Sequence, residues 1–215
     1  MSRATGSPRL WLEFINTEPP AAGNDALASF DAYVAWLERV SILDAERGDS
    51  LRRRAQLQPA GATAALLEAR RMRAGLRTFA DRGPDAERAR AVALGELNRV
   101  LGRSAGMRRI ERLADGRFAR TFVATGDAFA GLLLPLVESA TESLVRGELG
   151  RVRRCANARC AHVFYDTSKN SSRRWCDMDT CGNRAKAARF RKRRARQNAG
   201  ETDAAERAAR EAGAG

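Results

Sequence analysis

RCANARCAHVFYDTSKNSSRRWCDMDTCGNRAKAARFRKRRAR, residues 154–196, contains all 4 cysteines of the 215-residue chain. They form two Cys-x4-Cys pairs, Cys155/Cys160 and Cys176/Cys181, with fifteen residues between them. Each pair closes a short chelate loop, and the two loops together complete a tetrahedron. A full thiolate shell leaves no position open to water or substrate, so the pattern reads as one structural Zn2+ ion rather than a catalytic one. Two disulfides are the rival reading, and they require an oxidising compartment. Residues 1–20 show no basic stretch followed by a long apolar one, so a cytoplasmic protein with reduced thiols is expected, nucleoid-associated if it binds DNA.

Between the pairs, His162, Phe164 and Tyr165 have strand-like composition and Asp166 to Ser172 supplies turn residues. Arg173-Arg174-Trp175 leads back to Cys176, which predicts a hairpin spanning the two knuckles. After Cys181, Gly182 and Asn183 can start a helix. Residues 184–197 lack Gly, Pro and β-branched side chains, so about three to four helical turns are predicted. Knuckle, hairpin, knuckle and helix make a treble-clef-like order.

The combination of Cys155-x4-Cys160, Phe164-Tyr-Asp166-Thr-Ser168-Lys-Asn170 and Ser172-Arg-Arg-Trp-Cys176-x-Met178-x-x-Cys181-Gly-Asn-Arg184-x-Lys186 resembles the CGNR zinc finger, named for the residues at 181–184. The resemblance implies a C-terminal finger behind a mostly helical ABATE-type domain. It also implies a role among candidate transcription regulators linked to stress. It carries over the four cysteines as zinc ligands and no catalytic residue.

Charge points to the finger's partner. Residues 151–198 carry a balance of +12, against +3 for 1–150 and −2 for 199–215, within a chain total of +13. So concentrated a field attracts phosphate backbones. On the last helix Lys186, Arg189, Arg193 and Arg196 recur every three or four residues and share a face, with Arg184 and Arg191 on a neighbouring one. Ala185, Ala188 and Phe190 are expected to turn toward the zinc core. Together with Lys169, Arg173, Arg174 and Arg194, these basic residues form the candidate nucleic-acid surface, with DNA as the expected partner. The chain has 36 Arg to 3 Lys, a coding bias that explains the choice of cation but not its localisation. RNA is a rival partner, with bases stacked on Phe164, Tyr165 or Trp175. An acidic protein surface met by a pure interaction module is another.

The remaining residues read as a helical bundle. Leu10 to Thr17, rich in bulky apolar residues, is expected to be a strand or short buried segment; it resembles the LDFVNT-like opening of the ABATE domain, with Glu13 and Ile15 as departures. Glu13 and Asn16, polar in an apolar context, either line a ligand pocket or pin a helix end or loop. Helices are predicted over 26–40, over 41–56 with Ser41 as cap, from Gly61 to about Phe79, and from Asp85 to about Gly102. Arg52-Arg53-Arg54 reads as a solvated face. Residues 107–123 flank Asp115-Gly116 and predict a β-hairpin whose edge could pair with 10–17. Gly126 to Gly147 reads as a last helix with Pro135 inside it, which should kink it or mark a break near Leu134.

The fold class expected is therefore mainly α with a small β-hairpin (α+β): a helical domain over 1–149, a finger over 150–198 and a disordered tail over 199–215. No apolar run approaches the roughly twenty residues of a membrane span. His162 is the sole histidine, and no nucleophile or acid/base constellation is legible, so no enzymatic activity is expected. A single finger makes few base contacts, which favours a homodimer through the helical domain.

Overall fold

The structure is a computed structural model that describes residues 9–18, 25–103, 106–112, 118–124, 129–195 and 197. Helix α1 spans Leu10–Ile15, and five of its six side chains are buried, Glu13 alone reaching the surface. A short, uniformly apolar segment has no periodicity to separate a strand from a buried helix, and here burial on all sides selects the helix. Its anchor is Trp11, whose indole Nε1 donates to Ser143 Oγ at 3.1 Å across the core.

Local capping explains where the next helices begin. α2 (Phe30–Arg39) starts at Ser29, whose Oγ accepts from Ala32 N at 3.1 Å. α3 (Ala45–Leu57) starts at Asp44, which accepts from Arg47 N at 2.8 Å. Ser41 was the expected cap, but its φ of 59° places it in the left-handed turn that ends α2. Arg52 is not merely solvated: its guanidinium grips both oxygens of Glu38 at 2.8 and 2.7 Å and also reaches Asp31, tying α3 to α2.

α4 (Pro59–Arg77) has Pro59 at its first position, where a missing N–H costs nothing, and runs into a 3₁₀ turn at Thr78–Ala80. α5 spans Ala86–Arg103. The predicted hairpin forms as β1 (Gly106–Arg112) and β2 (Phe118–Ala124), paired antiparallel from Gly106↔Ala124 to Arg112↔Phe118. Asp115-Gly116 falls in 113–117, outside the described residues. Strands β1 and β2 pair with each other, and the expected edge contact with 10–17 is not made because that segment is helical.

α6 covers Leu134–Val145. Of the two outcomes expected of Pro135, the break near Leu134 is the one found: Pro135 stands in the first turn of α6, because the ring tolerates that position and clashes with the turn that would precede it. Residues 129–133 form a turn with Gly131 at φ 80°, and 125–128 lie outside the described residues.

The finger departs from the predicted layout at its strands. β3 (Val152–Arg154) pairs antiparallel with β4 (Val163–Tyr165), in register Val152↔Tyr165. The hairpin thus encloses the first cysteine pair, and 173–175 is not its second strand. Cys155 N donates to His162 O at 2.9 Å, extending the ladder into the knuckle, so the knuckle itself serves as the hairpin turn. A π-helical turn at Met178–Gly182 follows, then α7 over 183–195.

β4 alternates between two cores, as the two-residue period of a strand requires. Val163, fully buried, joins the large core built from Trp11, Phe14, Leu37, Leu76 and Leu136. Phe164 turns the other way and packs with Cys155 and Cys181. The large core therefore runs past residues 147–150 into the finger, through Val152 and Val163.

Candidate metal centre and nucleic-acid interface

The four cysteine sulfurs meet between the two knuckles, all within 4.8 Å of one another. Cys160 Sγ lies 3.8 Å from Cys176 Sγ, which lies 3.7 Å from Cys181 Sγ. These separations are far beyond a disulfide bond, and all four thiols are unbridged. A zinc–sulfur bond of about 2.3 Å in a tetrahedron requires sulfurs about 3.8 Å apart, so the donor set fits one zinc ion.

The surroundings pull the thiols in opposite directions. Asn157, between the first two cysteines, donates from Nδ2 to Cys181 Sγ at 3.4 Å. That hydrogen bond pulls the Cys181 thiol down to about 7. Burial and the adjacent thiols push Cys160 and Cys176 up. Four crowded sulfurs resist ionising together, and a dication relieves the conflict. When bound, zinc supplies structural cross-linking of the two knuckles.

The turn between β4 and the second knuckle is organised by Asp166, whose side chain is fully buried. Its carboxylate accepts from Ser168 N at 2.9 Å, Ser168 Oγ at 2.5 Å and Arg173 N at 2.9 Å. Burial would raise its pKa, but these hydrogen bonds and the nearby Arg153 charge hold it below the usual carboxylate range. On the far side, Asp177 caps the π turn, accepting from Thr180 N at 2.7 Å and Thr180 Oγ1 at 2.8 Å. That cap fixes the direction in which α7 leaves Cys181.

The basic residues separate into two sets. Arg173 points inward: it donates to Trp175 O at 2.9 Å and to Cys176 O, with its guanidinium 5.1 Å from the Phe164 ring centre. Arg174 is exposed and lies over Trp175 at 5.3 Å. Lys169 is exposed on the turn. Arg184, Lys186, Arg189, Arg191, Arg193 and Arg194 are all exposed along α7, and Arg196 lies outside the described residues. The expected apolar contacts of this helix are not made: Ala188 is exposed and Phe190 is 57% exposed, leaving only Ala185 half-buried. Beyond its first turn α7 packs against no other element among the described residues. Phe164 is buried in the finger and Tyr165 lies under Arg9 at 4.2 Å, so neither is a free stacking platform.

Sequence reasoning missed the residues that seat the finger. Asn16 exchanges two hydrogen bonds with the backbone of Val163. Arg77, 8% exposed, donates to Ile15 O and Ala161 O, both at 2.6 Å. Arg82 donates to Leu149 O at 2.9 Å and Val152 O at 3.0 Å, and Arg154 pairs with Asp81 at 2.5 Å. Of these, only Asn16 carried a signal, as a polar residue in an apolar run.

No helix among the described residues is long and apolar enough to cross a membrane. A search of curated proteins returned no match. Residues 151–194 match the CGNR zinc finger family. Residues 8–148 match the ABATE family, described as "Putative stress-induced transcription regulator". With its helical body matched over well more than half the chain and a four-cysteine cluster that fits one zinc ion, the chain belongs to the ABATE transcription-regulator family and carries a CGNR zinc finger.

Proposed function

We propose that this protein is a zinc-dependent DNA-binding regulator in which α7 is the element that meets the duplex. The observation that carries this reading is the exposure of α7: seven cations from Arg184 to Arg194 line a helix with no protein partner among the described residues beyond its first turn. A helix of this kind fits the width of the major groove, and its arginines can bind phosphate or the edge of guanine. Zinc acts upstream of contact. It joins the knuckle that launches α7 to the knuckle enclosed by β3 and β4, so the helix is held at a fixed angle to the body.

RNA has less to stack on, since Phe164 is buried and the half-buried Tyr165 lies under Arg9, which leaves the half-buried Trp175 beside Arg174. The helical body would then position the finger, and a homodimer through that body would supply a second half-site. The test is a selection with zinc-loaded protein against fragmented genomic DNA and an equal load of RNA at physiological salt. A compact DNA motif, lost in Cys176→Ser and weakened in Lys186→Ala/Arg189→Ala/Arg193→Ala, is the expected result. Preferential recovery of RNA, or equal binding by the triple variant, overturns the reading.

A further inference from the structure

Outside the finger, the helical body holds a cavity of about 440 Å³ between α2, α4, α5 and the 129–133 turn. That volume lies within the range of small-molecule sites. Its position is built into the chain. Gly61 is the reason Phe129 can form one wall: a Cβ there would stand 2.9 Å from the Phe129 ring. Gly131, at φ 80°, turns the backbone along a second wall, where Leu132 and Leu133 add apolar surface.

Tyr33 lines this cavity and is wholly enclosed, yet its hydroxyl has no hydrogen-bond partner among the described residues. A buried hydroxyl without a partner costs stability, and such groups are uncommon in native interiors. Burial, with the Glu68 carboxylate nearby, keeps the proton on this phenol. Tyr33 is therefore an unspent hydrogen-bond donor at the cavity wall, reached by a ligand where the wall yields to it.

The charged part of the lining is cationic. Glu68 is the only acid among the described lining residues, against Arg71, Arg99 and Arg103. That one carboxylate is already shared by Arg99 at 2.9 Å and Arg103 at 2.7 Å. Arg71 is exposed, so its guanidinium can swing to an incoming anion.

We infer that this cavity is an effector site for a small organic carboxylate, with its charge on Arg71 and Arg103, its apolar body against Phe129 and Leu132, and an acceptor atom on the Tyr33 hydroxyl. The geometry puts the site on α4, the helix whose last turn carries Arg77. A ligand seated here thus contacts the element that holds Ala161 of the finger.

The test is calorimetric titration of the zinc-loaded full chain, without DNA, with benzoate, 1-naphthoate and octanoate, so its outcome is independent of the finger's partner. Saturable one-to-one binding of at least one of these is expected, weakened about tenfold in Arg71→Gln and severalfold in Tyr33→Phe. Circular dichroism reports whether each variant is folded, and Tyr33→Phe keeps the ring that packs the core. Benzamide and 1-naphthamide, which lack the charge, are expected to bind more weakly than their acids. Absence of saturable binding by all three carboxylates, or binding unaffected by both substitutions, overturns the inference.

Discussion

Asn16 and Val163, 147 residues apart, are joined by a reciprocal pair of hydrogen bonds: Val163 N donates to Asn16 Oδ1 at 2.8 Å, and Asn16 Nδ2 donates to Val163 O at 2.7 Å. The side-chain amide thus takes the place of a neighbouring strand along β4. Asn16→Ala removes both bonds and leaves two backbone groups of Val163 without their partner. A loss of about 2 to 3 kcal/mol is expected in urea denaturation. Amide exchange at Val163 should accelerate, while zinc affinity, which rests on the sulfurs, is unchanged.

Arg77 holds Ala161, two residues earlier in the same segment. Its guanidinium bridges the end of α1 to Ala161 through two carbonyl contacts at 2.6 Å. Arg77→Met keeps most of the apolar stem and removes the donors, at an expected cost of about 3 kcal/mol. Because Asn16 and Arg77 grip residues two apart, their effects should not add. A double-mutant cycle is expected to give a coupling of at least about 0.5 kcal/mol, and strict additivity would mean that the two contacts act independently.

The sequence was most informative where short-range chemistry dominates. Cysteine spacing fixed the metal cluster, and apolar periodicity with Gly-Pro punctuation placed α2, α4 and α5 to within a few residues. It was least informative where a distant partner decides the outcome. Leu10–Ile15 is a helix because the core surrounds it, and nothing in six apolar residues records that. Val152–Arg154 is a strand only because β4 lies beside it. Arg77 and Arg82 look like ordinary polar residues until their acceptors, 84 and 67 residues away, are known, and Asn16 stands out only as a polar residue in an apolar run.

Asp25 gives the helical body an acid sensitivity of its own. Both carboxylate oxygens bind the buried Arg73, at 2.5 and 2.9 Å. The Arg73 hydrogen bond, the largest influence, together with the Leu27 amide and nearby cationic charge, outweighs burial and holds the Asp25 carboxyl below its ordinary value. As pH falls, the unfolded chain therefore takes up this proton first. The contribution is complete above the unfolded pKa of about 3.9 and disappears as pH drops through the lower folded value. Asp25→Asn should lower the neutral-pH plateau by about 2 to 4 kcal/mol, since Arg73 loses its counter-ion. It should also flatten the fall below about pH 4. Far-UV circular dichroism across pH in fixed urea measures both, and an acid limb as steep as the parent's would count against this role.

Asn157 touches the metal centre without being a ligand. Its amide donates to Cys181 Sγ at 3.4 Å and holds that thiol near 7. Asn157→Ala is expected to weaken zinc about tenfold in competition with a chromophoric chelator. Affinity of the parent should fall as pH decreases, because protons then compete with the metal for the thiolates. In the variant that fall should begin at higher pH, a shift that loss of packing alone would not produce.

Arg173 and Arg193 are the same side chain put to opposite uses. Arg173 is spent inside the finger on Trp175 O and Cys176 O, beside the Phe164 ring, so it braces the second knuckle. Arg193 stands exposed on α7. Arg173→Ala should therefore lower zinc affinity and the stability of the finger, and any loss of DNA binding should follow from that. Arg193→Ala should leave zinc affinity untouched. If its guanidinium meets a phosphate, the slope of log affinity against log salt should shrink by about 0.9 on duplex DNA. If it meets a base edge, the slope should stay and discrimination at one position should relax by about 1 to 3 kcal/mol. Equal zinc loss in both variants would mean that α7 is not the free element its exposure implies.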